Sequence, residues 1–120
     1  MAKKILYIED DALLSSLVNI TLTKKGYELK IAPTAEQAIE IIKMFTPDII
    51  LLDIILPGMT GLQFLEIIRS EEQYKNTRVI VLSNLNRTTD IEKAKKLNAE
   101  FFIKAELTPD QLPGLLEKAD

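Results

Sequence analysis

Hydrophobic residues recur along this chain in two alternating rhythms. Short, nearly unbroken apolar runs mark strands, and longer stretches with apolar residues three and four apart mark helices. Strands are predicted at Lys4–Ile8, Tyr27–Ala32, Ile49–Leu52, Arg78–Leu82 and Phe101–Lys104. Helices are predicted between them at Asp11–Lys25, Ala35–Phe45, Leu62–Tyr74 and Thr89–Leu97, with a last one at Pro109–Ala119. Their expected inward faces are Leu14, Leu17, Val18 and Leu22; Ala38, Ile39, Ile42 and Phe45; Phe64, Leu65 and Ile68; and Ile91, Ala94 and Leu97. Gly26 is expected to stop the first helix. The patterns Thr34…Gln37, Thr60…Gln63, Thr89…Glu92 and Thr108…Gln111 predict capping boxes, and Pro109 suits a first helical position. Pro113-Gly114 conflicts with the last helix and should weaken or kink it.

Strict strand–helix alternation implies an α/β fold: a doubly wound parallel sheet with right-handed crossovers and helices on both faces. The run Ile49-Ile50-Leu51-Leu52 is apolar on both faces and belongs in the middle of the sheet. The first and fourth strands are nearly as apolar. Tyr27–Ala32 alternates and belongs at an edge. A five-stranded order 2-1-3-4-5 satisfies these constraints, with its switch point between the first and third strands.

The composition narrows the chemistry. With 120 residues, 47% of them hydrophobic, and a net charge of −3, residues 1–120 are expected to form one domain. No second or output domain is expected within them. Nothing in the charge suggests direct nucleic-acid binding, and no apolar stretch approaches the ~20 residues that span a membrane. Met1-Ala2-Lys3-Lys4 leads straight into the first strand, so no signal peptide is expected and the cytoplasm is the expected compartment. There is no cysteine and no histidine. Disulfides, zinc-thiolate sites, imidazole ligands and histidine general bases are thereby excluded. Chemistry must come from carboxylates, hydroxyls, amines and backbone.

Those groups collect at strand ends. Asp53 follows the most buried strand and precedes a Pro57-Gly58 turn. Glu9 and Asp10 follow the first strand, Ser83 the fourth, and Lys104 closes the fifth. The strand order sends Glu9, Asp10 and Asp53 into one crevice. Carboxylates ~5 Å apart at an effective dielectric near 20 repel by roughly 3 kcal/mol per pair. Such a cluster either raises a pKa or binds a cation. All-oxygen donors suit Mg2+ or Mn2+, with Asp10 and Asp53 as direct ligands, Glu9 direct or through water, and a backbone carbonyl after Asp53 as a further oxygen. Lys104 and Ser83 complete a cradle for a phosphoryl group, with Asp53 as nucleophile. Asp11 is assigned to the first helix's N-terminus, and Ser15 and Ser16 to the surface.

At this point the chain resembles a bacterial response-regulator receiver domain over essentially its whole length. The motifs that carry the resemblance are Ile8-Glu9-Asp10-Asp11, Leu51-Leu52-Asp53-Ile54-Ile55-Leu56-Pro57-Gly58-Met59-Thr60-Gly61, Val79-Ile80-Val81-Leu82-Ser83 and Phe101-Phe102-Ile103-Lys104. The resemblance implies a flavodoxin-like (βα)5 three-layer sandwich acting as a phosphoacceptor switch more than an enzyme. It implies that Asp53 takes phosphate from a histidine kinase or phosphotransfer protein. Mg2+ would sit on Asp10, Asp53 and the Ile55 carbonyl. Ser83 would move onto the phosphoryl oxygen, Lys104 would pair with it, and Phe101 would turn inward. The face made by the fourth helix, fifth strand and last helix would change. The resemblance allows a phosphorylation-linked homodimer and names no downstream effector.

Three residues depart from the family pattern. Ala105 stands where proline is usual, which implies a more mobile loop or a differently aimed Lys104. Asn84 stands where a small residue is usual, and would crowd the site or bond the phosphoryl group. Phe101 lacks the hydroxyl of the commoner tyrosine. Apolar Ile55 and Leu85 cannot orient a water, so a long-lived phosphoryl group is expected. Leu13 and Ile20 exceed the apolar stripe that the first helix needs, and in the family that helix docks the phosphodonor. Two other functions would fit less of the pattern: an interaction module that is never phosphorylated, and a metal-dependent phosphatase, which would need an acid/base where Ile55 stands.

Overall fold

The computed structural model describes residues 3–118. Five strands, β1 (Lys4–Ile8), β2 (Glu28–Ala32), β3 (Ile49–Leu52), β4 (Arg78–Ser83) and β5 (Glu100–Ile103), form one parallel sheet in the order β2-β1-β3-β4-β5, as expected. The helices are α1 (Ala12–Lys24), α2 (Ala35–Ile42), α3 (Gly61–Arg69), α4 (Thr88–Lys96) and α5 (Leu112–Glu117). All of β3 is buried, and β2 alternates, as a central and an edge strand should.

Each face of the sheet has its own core. Ile5, Tyr7, Ile49, Leu51, Ile80 and Leu82 point toward α1 and α5, where Val18, Leu22, Leu112, Leu115 and Leu116 cover them. Leu6, Ile8, Ile50, Leu52, Val79 and Val81 point the other way, under residues of α2 and α3 such as Ala38, Ile42, Phe64 and Leu65, and under Ala94 of α4. Burying an aliphatic side chain of this size contributes about 2 kcal/mol relative to leaving it in water.

Several expectations are corrected. The buried residues of α1 are Ser15, Val18 and Leu22; Ser15 donates to the Asp11 carbonyl, while the predicted Leu17 is exposed. Ser15 is therefore not a surface residue, although Ser16 is. The Thr89…Glu92 box does not form. Arg87 caps α4, and Asp90 in its first turn is buried and paired with the Arg87 guanidinium at 2.8 Å. A carboxylate there also complements the helix dipole. Ile91 is only half-buried.

The third predicted helix breaks after Arg69, with a separate 3₁₀ turn at Glu72–Tyr74. α2 stops at Ile42, although Phe45 beyond it is buried as expected. Tyr27 lies just outside β2, and Lys104 opens a 3₁₀ turn instead of closing β5. The last element splits into a 3₁₀ turn at Pro109–Gln111, boxed by Thr108 and Gln111, and α5. Restarting the helix puts Pro113 in a first turn, where its missing N–H breaks no bond. Ala119, the predicted end of that helix, lies outside the described residues.

The helix ends are closed with care. Gly26, at φ +92°, donates to the Thr23 carbonyl, and Tyr27 donates to Leu22, a Schellman ending for α1. Asn98, at φ +59°, does the same for α4, with Ala99 donating to Ala94. The half-buried Arg69 guanidinium donates to the carbonyls of Tyr74, Lys75, Leu97 and Asn98, and burial lowers its pKa. It ties α3 to the end of α4. Arg69→Met should lower the urea-unfolding free energy by about 2 kcal/mol, because the carbonyls lose a charged donor, and Arg69→Lys should recover only part of that. An unchanged unfolding midpoint in the methionine variant would show that water replaces the guanidinium without loss.

Candidate functional site

Strand register builds the site. Ile8 of β1 pairs with Leu52 of β3, so the two strands end level and Glu9 and Asp53 come next on each. Asp53 N–H continues the ladder onto the Ile8 carbonyl at 3.2 Å. Ser83 of β4 pairs with Ile103 of β5, which places Lys104 one step beyond. The side chains of Glu9, Asp10 and Asp53 offer ligand oxygens all within 4.8 Å of one another. Glu9 and Asp53 are buried, and Asp10 is exposed.

Lys104 reaches into this cluster. Its Nζ lies 2.7 Å from Glu9 Oε1 and 2.7 Å from Asp53 Oδ2. Burial alone would depress the ammonium pKa, but hydrogen bonds and charge from Asp53 and Glu9 outweigh it and the net shift is upward. For Glu9, burial is the largest influence and raises its pKa, against the opposing pull of Lys104 and the Asp11 N–H. The two partners thus respond differently: the lysine is held charged, while the buried carboxylate is left easier to protonate. Three carboxylates against one ammonium leave an excess of negative charge. The donors are all oxygen, close together and open on the Asp10 side, so the cluster can hold a hard divalent cation.

The remaining predicted residues lie around this centre. Ser83 is fully buried, and its Oγ accepts the Leu85 N–H at 3.2 Å in place of meeting a carboxylate. Ile55 donates its N–H to Asp53 Oδ1 at 3.4 Å, and its side chain is 59% exposed beside the site. Phe101 is half-buried against the core on the α4 side. Asn84 makes no hydrogen bond to Glu9, Asp10 or Asp53. Its Oδ1 accepts the Ala105 N–H at 2.8 Å.

Other contributors were not singled out from the sequence. Tyr7 donates its hydroxyl to Glu9 Oε1 at 3.4 Å; it lies two residues before Glu9 on the same face of the strand, and burial followed by the Glu9 charge raises its pKa. Glu36 of α2 accepts the Met59 N–H at 3.1 Å and holds the loop after Asp53. Gly61 packs onto the Asp53 backbone so closely that a Cβ there would lie 2.0 Å from the Asp53 carbonyl oxygen.

A family model for the response regulator receiver domain matches residues 5–117. The chain belongs to this family. Response regulators of two-component systems take phosphoryl groups from histidine kinases. The chain is 30% identical over 112 residues to the phosphate regulon transcriptional regulatory protein PhoB of Klebsiella pneumoniae, an alignment covering 93% of this chain and 49% of that protein. It is 26% identical to the chemotaxis protein CheY4 of Vibrio cholerae, whose solved structure superimposes with a TM-score of 0.89 over 98% of each chain. The BeF3-activated N-terminal receiver domain of Klebsiella pneumoniae RstA superimposes with a TM-score of 0.83 at 26% identity, over 95% of each chain. The chain spans about half the length of curated relatives such as PhoB.

Gly61→Ala should cost about 3 kcal/mol in urea unfolding, since the atoms it meets are backbone and cannot swing aside. Wild-type stability in that variant would mean that α3 can lift off Asp53 without loss.

Proposed function

We propose that Asp53 is the phosphoacceptor of a two-component signalling switch, receiving its phosphoryl group from a histidine kinase or phosphotransfer protein. The observation that carries this reading is Lys104, whose ammonium lies 2.7 Å from Asp53 and Glu9 at the level ends of the central strands. An Asp53 carboxylate oxygen attacks phosphorus in line. A P–O bond forms, the donor's P–N bond breaks, and the leaving imidazole nitrogen keeps the electron pair. A carboxylate nucleophile needs no general base, which agrees with a chain that lacks histidine. Lys104 neutralises charge on the transferring group, and Ser83 supplies a hydroxyl to one of its oxygens.

Asp10 and Asp53, with Glu9 direct or through water and the Ile55 carbonyl, would hold Mg2+ or Mn2+. The ion would supply further charge neutralisation on the phosphoryl oxygens. Phe101 reports the movement of Ser83 to the surface made by α4, β5 and α5. Residues 1–120 act as one receiver unit in the cytoplasm; no helix among the described residues is long and apolar enough to cross a membrane.

Helix α1 supports a docking role for the phosphodonor. Leu13 is 73% exposed, and Leu17 and Ile20 continue the apolar face along the helix. Leu17 joins the surplus because the buried stripe of α1 runs through Ser15, Val18 and Leu22 and leaves it outside. This face starts at the turn carrying Asp10 and Asp11, so a helical donor lying on it brings its histidine toward Asp53.

With acetyl phosphate and Mg2+, the wild-type chain should take up a single phosphoryl group, read by intact-mass spectrometry, and Asp53→Asn should take up none. Undiminished incorporation in the variant would remove the proposal. The phosphorylated protein should also lose its label slowly, because Ile55 cannot orient a water. Ile55→Asn should speed that loss by about tenfold, followed by quench-flow or gel assay. Equal rates would show that something other than this side chain sets the lifetime.

A further inference from the structure

The two departures at Asn84 and Ala105 meet in space. Asn84 lies in the turn after β4 and Ala105 in the turn after β5, and the Asn84 Oδ1 accepts the Ala105 N–H at 2.8 Å. That N–H belongs to the same peptide unit as the Lys104 carbonyl, which accepts the Leu107 N–H at 3.1 Å. The peptide on the C-terminal side of Lys104 is therefore held at both of its polar ends. One bond is local and closes the 3₁₀ turn Lys104–Glu106; the other crosses to a neighbouring strand's loop.

We infer that Asn84 is a positioning residue for Lys104: its side-chain oxygen clips the Lys104–Ala105 peptide, and so aims the ammonium at Asp53 and Glu9. Lysine has a long, flexible side chain, and its entropy works against a single geometry. Fixing the peptide fixes the backbone angle at Lys104, and with it the root from which the side chain starts. The clip needs an N–H at position 105. Proline has none, so a proline there would leave the Asn84 oxygen without this donor. Ala105 and Asn84 thus form one device, in which an amide donor and a side-chain acceptor hold the turn. The same arrangement explains why Asn84 does not crowd the carboxylates: its oxygen is already engaged away from them.

The inference rests on the receiver reading for its functional consequence, but the clip itself can be read independently. In the 15N-labelled full chain, Asn84→Ala should accelerate hydrogen exchange at the Ala105 amide and shift its resonance upfield. Asn84→Asp, which keeps an acceptor oxygen, should restore the protection. With Mg2+ present, Asn84→Ala should raise the dissociation constant for beryllofluoride about three- to tenfold, the range of one lost hydrogen bond. Both residues are exposed, so the melting temperature should stay near that of the wild type. An Ala105 amide unaltered in Asn84→Ala overturns the clip and leaves the receiver reading standing. Faster exchange with unchanged beryllofluoride affinity overturns the positioning role. If the wild-type chain takes up no beryllofluoride with Mg2+, the receiver reading fails and the positioning role falls with it.

Discussion

Like charges are forced together at one end of this sheet, and the rest of the site exists to make that tolerable. Glu9 and Asp53 are adjacent because β1 and β3 run parallel, in register, and end level. Neither carboxylate can retreat, because each follows a strand that is buried on both faces. Lys104 relieves part of the repulsion by lying between them. The excess negative charge that remains is what gives the cluster its capacity for a cation. Removing the ammonium while keeping both acids would leave buried carboxylates facing each other without a partner, which is costlier than removing the whole group.

The topology explains why this happens between β1 and β3. The chain leaves β1 through α1 toward β2 at one edge, then returns across to β3 through α2 on the other face of the sheet. The loops after β1 and β3 therefore part to opposite sides and leave a crevice above the strand ends. Gly61 lets α3 begin hard against the Asp53 backbone, and Glu36 of α2 holds the Met59 amide. Elements from both helices thus fix the loop that follows Asp53, which keeps a carboxylate on a turn as well placed as one on a strand.

Much of this was legible in the amino-acid pattern, for identifiable reasons. β3 reads as central because an unbroken Ile/Leu run has no polar face to expose, and Gly26 and Thr60 mark helix ends through chemistry that is local. What failed was decided by partners distant in sequence or by choices between near-equal residues. Leu17 lies outside the core because the buried stripe of α1 runs through Ser15, Val18 and Leu22, and a residue two positions from Ser15 points about 200° away from it. The pattern hides this stripe because it includes a serine, whose hydroxyl is satisfied by the Asp11 carbonyl. Thr89 looks like a cap, yet Arg87 and Asp90 close the start of α4 with an ion pair. The roles of Tyr7, Glu36 and Asn84 depend on which atom lies opposite, and spacing carries no record of that.

The two halves of the molecule are not held equally, and this bears on where a local change can spread. On the α1 and α5 side, Val18, Leu22, Leu112, Leu115 and Leu116 all press on the sheet. α4 contributes only Ala94 and the paired Asp90 as buried residues, and β5 is an edge strand that is half-exposed along most of its length. Little apolar area resists a shift of α4, so its displacement costs less than that of any element packed by several large side chains. Ser83 lies at the end of β4, and Phe101 lies on β5 facing the same side as α4. On the proposed reading, a Ser83 hydroxyl drawn toward a phosphoryl group would pull on a weakly anchored part of the fold, while the fully buried strand beneath Asp53 would resist movement. Rigid support under Asp53 and loose support beside it is the combination that, on that reading, would let one small anion alter a distant surface.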